Sequence, residues 1–196
     1  LKYFTEFWCS DDTDPYERLY IQWSLSKFFP AKTMGSHVTN WNKNTSVKFR
    51  TDVCSSCKLG FDIDLKSLSE DDYKFVQQAV KNYNSMKPVI LEGDQYRLVS
   101  PYEGSHCAVN YVSKDKQRAV LFAYDLHPRY KEPQMNVKLQ GLNPTKLYTV
   151  KETNLMPGKT SELECDGKQY SGDYLMKVGL SVFSAQDGTS HVLTLE

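Results

Sequence analysis

Phe7-Trp8-Cys9-Ser10-Asp11-Asp12-Thr13-Asp14-Pro15-Tyr16-Glu17-Arg18 sets three carboxylates within four residues, behind an aromatic pair and ahead of a helix start. Carboxylates this close repel one another, so the cluster costs stability unless cations, backbone N–H groups or a ligand compensate. Its C-terminal part reads as an acidic helix cap, with Asp14 capping, Pro15 at the first helical position and Glu17 closing a capping box. Arg18, four residues beyond Asp14 on the same helix face, is expected to pair with it. That account leaves Asp11, Asp12 and Trp8 without a role.

Outward from this segment, Leu19, Tyr20, Trp23 and Phe28 recur at three- and four-residue spacing, which predicts a helix over 16–29 closed by Pro30. Thr33 to Thr39 reads as a short buried strand, and the polar stretch Asn40 to Thr45 as a loop. A second helix opens at Ser69, with Asp72 three residues on and Leu68 and Tyr73 at staple spacing. Its expected apolar stripe is Tyr73, Val76, Val80 and Tyr83, and Asn84-Ser85-Met86-Lys87-Pro88 is expected to end it. The chain divides near residues 84–95. Beyond that, His106–Val112, Arg118–Tyr124, Met135–Leu139, Leu147–Lys151, Tyr174–Phe183 and His191–Leu195 alternate like strands. They are punctuated by Asn143-Pro144, Asp166-Gly167 and Asp187-Gly188. Strands at this spacing predict an antiparallel β-sandwich with a core of its own.

Composition narrows the functions. Lys plus Arg and Asp plus Glu are 24 each, so the net charge is zero. That argues against a nucleic-acid partner or an anionic-membrane partner. No apolar run is long enough to span a bilayer, and no basic-then-apolar leader opens the chain. Five cysteines (9, 54, 57, 107 and 165) are an odd number in a chain too long to need staples. They favour unligated thiols in a reducing, cytoplasmic compartment. Cys54-x-x-Cys57 lacks the second pair of ligands that a structural zinc site requires, so no metal is expected. His37 reads as a satisfied strand residue, and Trp41 as either a sugar platform or a packing plug.

Residues 8–22, Trp-Cys-Ser-Asp-Asp-Thr-Asp-Pro-Tyr-Glu-Arg-Leu-Tyr-Ile-Gln, resemble the acid/base segment of the retaining α-galactosidases of glycoside hydrolase family 36. That family reads Trp-Thr-Ser-Asp-x-Thr-Asp followed by a Glu-Arg-Leu-x-Ile-Gln helix. Phe29-Pro30, Met34-Gly35-Ser36-His37-Val38 and Lys58-Leu59-Gly60-Phe61-Asp62-Ile63-Asp64-Leu65 follow at matching distances. Tyr96-Arg97-Leu98, Leu139-Gln140-Gly141-Leu142 and Ser171-Gly172-Asp173-Tyr174-Leu175-Met176 resemble the family's C-terminal domain.

The resemblance implies an α/β plus all-β chain. Residues 1–85 would be the last strand–helix units of a (β/α)8 TIM barrel, and 86–196 a C-terminal antiparallel β-sandwich domain. It implies hydrolysis of terminal α-galactosides with retention, no metal and no organic cofactor. Asp11 matches the acid/base residue, while Asp12 and Trp8 are expected at the sugar. A dry wall at Trp8 and a carboxylate at Asp12, or at the nucleophile, would help such a proton donor stay protonated.

Two departures stand out. Cys9 replaces the usual Thr, a swap between small side chains. The family's nucleophilic Asp, in a Lys-x-Asp strand end, and its Cys-x-x-Gly-Gly segment both precede this motif, and neither occurs here. The chain is therefore expected to be a C-terminal piece of a longer enzyme, inactive alone and prone to self-association as a homo-oligomer. Two alternatives stay open at this point: a non-catalytic carbohydrate-binding or assembly module, and an α-N-acetylgalactosaminidase or transglycosylating relative.

Overall fold

The computed structural model describes residues 3–41, 44–133 and 135–196. The expected loop over 40–45 thus lies partly outside the described residues. The N-terminal part alternates strand and helix: β1 (Phe7–Trp8), α1 (Pro15–Leu25), β2 (Met34–Thr39), α2 (Val47–Ser55), β3 (Lys58–Asp62) and α3 (Glu70–Glu92). The three strands are parallel in the order β1-β2-β3, with Trp8 beside Gly35 and His37 beside Gly60. Parallel pairing requires a crossover between strands, and α1 and α2 supply it.

Asp14 caps α1 as read from sequence, its carboxylate accepting the N–H groups of Tyr16 and Glu17 at 2.9 and 3.2 Å. The capping box does not close through Glu17. Asp14 donates its own N–H to Asp12 Oδ1 at 2.9 Å, which leaves Glu17 exposed. Helix α1 stops at Leu25 rather than running to Phe29, because Ser26 Oγ turns back onto the Trp23 carbonyl at 2.7 Å.

Ser69 caps α3 as expected, accepting the Asp72 N–H at 3.1 Å. The helix does not end at Pro88 but continues to Glu92. Pro88 forfeits one backbone hydrogen bond there. Met86, Val89, Ile90 and Leu91 nevertheless all join the core with Ala31 and Tyr111, and their burial holds the last turn. The apolar stripe also differs. Phe75, Val76, Ala79 and Tyr83 face inward, whereas Tyr73 and Val80 are exposed.

Beyond Gly93 the strands are β4 (Asp94–Val99), β5 (His106–Val112), β6 (Ala119–Asp125), β7 (Asn136–Val137), β8 (Leu147–Thr153) and β9 (Gln169–Ser171). Then come α4 (Gly172–Lys177), β10 (Leu180–Ser181) and β11 (Ser190–Leu195). Six strands form one sheet, ordered β4-β5-β6-β11-β8-β9 and antiparallel throughout. Every residue of β5 and β6 is buried. Val109, Tyr111, Phe122 and Tyr124 face the helices of the N-terminal part, while Ala108, Leu121 and Ala123 face the other way.

That second face is covered by the β10-β7 ribbon, by α4 and by Leu139 and Leu142. The sandwich therefore has one full sheet and one small layer, and its helix-facing core is shared with the N-terminal part rather than its own. Tyr111 and Tyr124 extend the junction by donating to the Ser56 and Asp52 carbonyls at 2.6 and 3.1 Å.

The strand expected over Tyr174–Phe183 is broken into α4 and β10. Ser171 caps α4 by accepting the Tyr174 N–H at 3.1 Å. Gly179 then turns with φ +82°, where a Cβ would come within 2.3 Å of the Val137 carbonyl. The Met135–Leu139 strand shrinks to Asn136–Val137.

Candidate active site

The loop Cys9–Asp14 leaves the C-terminal end of β1 and delivers the chain to α1. In strand–helix barrels this end of the sheet carries the chemistry. The loop is held at four points. Arg18 Nη2 donates to the Ser10 carbonyl at 3.2 Å, and Asp12 donates its N–H to Ser10 Oγ at 3.0 Å. Asp12 Oδ1 accepts from Asp14, and Thr39 Oγ1 donates to Thr13 Oγ1 at 2.8 Å, fixing the loop to the end of β2.

Among the described residues these bonds use every neighbour of Asp11 and leave the Asp11 carboxylate itself free and exposed. Asp12 is a brace of this loop. Asp14 is committed to the cap.

Trp8 ends β1 and lies flat on His37 of β2, with ring centroids 4.1 Å apart and planes at 26°. His37 fits only because β3 brings Gly60 behind it, where a Cβ would be 2.5 Å from the imidazole Cδ2. Burial, and then the charge of Arg18, hold the His37 imidazole below its ordinary value. Glu6 and Lys58 form an ion pair at the entrance of a shallow depression of about 350 Å³, which Trp8, Gly35 and His37 also line. Asp11 and Asp12 stand in the loop beyond it. The other candidate platform, Trp41, is exposed.

Arg18 departs from expectation. It does not pair with Asp14 but lies on the inner face of α1, 1% exposed. A surface pair needs both partners on the solvent face. Only Nη2 has a partner, and Nε and Nη1 have none among the described residues.

Cys54 and Cys57 are buried as free thiols. Burial pushes the Cys54 thiol up to about 11 and raises Cys57 further, which makes both poor nucleophiles. Among the described residues no group of three His, Cys, Asp or Glu side chains stands ready to hold a metal ion.

Sequence reading missed three contributors to this arrangement. Ser10 braces the loop through its hydroxyl and its carbonyl, and Gly60 makes room for His37. Tyr16 reaches 2.7 Å from Asp187, across 171 residues. The Asp187-Gly188 turn was visible in sequence only as punctuation between strands.

Comparison with known proteins follows the same division. Residues 1–93 match the family model Melibiase, and residues 106–195 match the glycosyl hydrolase family 36 C-terminal domain. Probable alpha-galactosidase G of Aspergillus terreus is 30% identical over the whole of this chain, which corresponds to 26% of its own length. Alpha-galactosidase 2 of Hypocrea jecorina is likewise 30% identical over the whole chain and 25% of its own. The chain thus spans about a quarter of the length of the curated relatives it matches.

Among solved structures, the GH36 alpha-galactosidase AgaB from Geobacillus stearothermophilus superposes on 97% of the chain with a TM-score of 0.84 at 28% identity, using 25% of AgaB. A variant of alpha-galactosidase AgaA from the same organism, in complex with raffinose, superposes on 95% with a TM-score of 0.83 at 27% identity.

Proposed function

We infer that this chain, whose two parts belong to the Melibiase and glycosyl hydrolase family 36 C-terminal domain families, carries the acid/base half of an α-galactosidase active site. The observation that carries the reading is the loop at the end of β1. Its hydrogen bonds engage Ser10, Asp12, Thr13 and Asp14 and leave the Asp11 carboxyl free, in the loop that follows Trp8, which is stacked on His37.

In a retaining mechanism a second carboxylate, about 5–5.5 Å away, attacks the anomeric carbon while the acid protonates the departing glycosidic oxygen. The carbon–oxygen bond breaks and the leaving alcohol takes the proton of Asp11. Asp11, now a carboxylate, then takes a proton from the water that attacks the galactosyl-enzyme and releases galactose. The nucleophile of that scheme has no counterpart in these residues, so the chain is half of a site. An arc of three parallel strands fits the last part of a barrel whose remaining strands come from elsewhere in a longer enzyme. Terminal α-galactosides of the raffinose type are the substrates of that whole enzyme, and the raffinose and stachyose complexes of AgaA variants support the choice.

The test is release of nitrophenol from an aryl α-galactoside by the purified chain and by Asp11→Asn. No release from either is expected. Release from the purified chain, whether or not Asp11→Asn keeps it, would put the nucleophile within these 196 residues and overturn the half-site reading.

A further inference from the structure

We propose that Asp187, on the turn ahead of β11, is a positioning residue for the acid/base loop and acts through Tyr16; this rests on the assignment of Asp11 above. Tyr16 Oη donates to Asp187 Oδ1 at 2.7 Å. The same carboxylate accepts the His127 N–H at 3.1 Å on Oδ1, and Oδ2 meets His127 Nδ1 at 2.9 Å. The Tyr16 ring lies on the His127 ring, with centroids 4.5 Å apart and planes at 19°.

The turn leaves room for the phenol only because residue 188 is glycine. Its φ is +66°, and a Cβ would come within 2.9 Å of the Tyr16 hydroxyl. The turn is braced from below by Asp125. The Asp125 carbonyl accepts the Gly188 N–H at 3.2 Å, and its Oδ2 accepts the N–H and hydroxyl of Ser184 at 3.0 and 2.8 Å. Partial burial raises the Asp187 carboxyl, but the hydrogen bonds from Tyr16 and His127 outweigh it and keep the group anionic. Burial and the Asp187 carboxylate hold the Tyr16 phenol well above its ordinary value, so Tyr16 remains the donor.

From Tyr16 the connection runs straight into the catalytic loop. Its N–H donates to Asp14 Oδ1, the Asp14 N–H to Asp12 Oδ1 and the Asp12 N–H to Ser10 Oγ, each at 2.9 to 3.0 Å. Both residues flanking Asp11 belong to this chain of bonds, and its far end is in the C-terminal domain. An acid aimed at a glycosidic oxygen loses efficiency steeply with displacement. A contact that fixes the start of α1 therefore acts on protonation before it acts on stability.

The test compares Tyr16→Phe, Asp187→Asn and Asp11→Asn in the full-length enzyme, measuring kcat/KM on raffinose and on a nitrophenyl α-galactoside together with Tm. A nitrophenolate leaves without help from an acid, whereas the alcohol of raffinose does not. Tyr16→Phe and Asp187→Asn are expected to lower kcat/KM on raffinose roughly tenfold and on the aryl substrate by less than about twofold. The double variant should equal the singles, and Tm should be unchanged within a degree or so. Equal losses on both substrates, or no loss on either, would overturn the positioning role while Asp11→Asn still shows the leaving-group contrast. Absence of that contrast in Asp11→Asn would instead overturn the acid/base assignment itself.

Discussion

Trp8 and His37 lie face to face at 4.1 Å, and the imidazole is closed off from behind by the α-carbon of Gly60. The wall of the site is thus a three-layer stack drawn from three adjacent strands. Gly60→Ala would force a methyl to within 2.5 Å of the ring and disturb its stacking on Trp8. We expect a change in Trp8 fluorescence and a loss of about 1–3 kcal/mol in urea unfolding, the usual range for overpacking. Burial also sets the titration of His37. Its folded value is depressed, so its contribution to stability is complete above the ordinary 6.5 and is lost as pH falls toward the folded value. A proton NMR titration of the chain should place the His37 midpoint below 6.5, and an unshifted midpoint would contradict the stack.

The two parts of the chain should unfold together because they share a core, and Asp52 ties them further. Its buried carboxylate accepts from Asn154 Nδ2 at 2.8 Å, from Ser190 Oγ at 2.7 Å and from Lys48 Nζ at 2.5 Å. Asn154 and Ser190 belong to the C-terminal domain, whereas Lys48 and Asp52 are on α2. Asp52→Ala leaves Lys48 and two polar groups without their partner, at a cost of about 2–4 kcal/mol. Urea unfolding followed by tryptophan fluorescence and far-ultraviolet circular dichroism should show a single transition in the native chain. A single transition at lower urea is expected in Asp52→Ala, and an unchanged midpoint would contradict this role of Asp52.

Much of this architecture was legible from local signals. Ser69 and Asp14 announced their helices, and His106–Val112 alternated clearly enough to give its strand bounds directly. Helix α2 has a cap of the same kind, Ser46 accepting the Phe49 N–H at 3.0 Å, but no periodicity to support it, because Arg50, Thr51, Asp52 and Ser55 are buried together with Phe49 and Val53. A helix covered on every side has no polar face for periodicity to reveal. Arg18 was misread for a related reason, since ion-pair spacing says nothing about which face of the helix is buried. The candidate site divided in the same way. Asp11 and Trp8 enter as candidates only through the family resemblance, and the Tyr16–Asp187 contact joins residues 171 apart, which no local pattern encodes.

Acid sensitivity should centre on Glu152. Burial raises its carboxyl, but hydrogen bonds from His191 and Ser161, and the charges of His191 and Lys48, together carry it below 4.5. The depressed folded value means that this stabilisation is present above the unfolded carboxylate range and lost as pH falls through the folded value. Glu152→Gln should lower stability at neutral pH and flatten the acid limb of the pH–stability curve. A variant curve parallel to that of the native chain at all pH values would contradict this.

Tyr3, Phe4 and Phe28 are exposed, and Phe4 and Phe28 line a groove of about 670 Å³ with Leu91. Among the described residues β1 and β3 each pair with one neighbour, so their outer edges are open. Open edges and apolar patches favour association. Sedimentation of the chain should give a mass that rises with concentration, and Phe4→Ser with Phe28→Ser should reduce it. A monomer at all concentrations would contradict the expectation.

The central claim is that Asp11 is the acid/base. Its most direct measurement is kcat/KM of the full-length Asp11→Asn enzyme on raffinose and on a nitrophenyl α-galactoside, together with kcat on the aryl substrate with and without azide. The account predicts a loss of at least about 10²-fold on raffinose, near-retention on the aryl substrate, and acceleration by azide of the now slow breakdown of the galactosyl-enzyme. Equal losses on both substrates with no response to azide would contradict it.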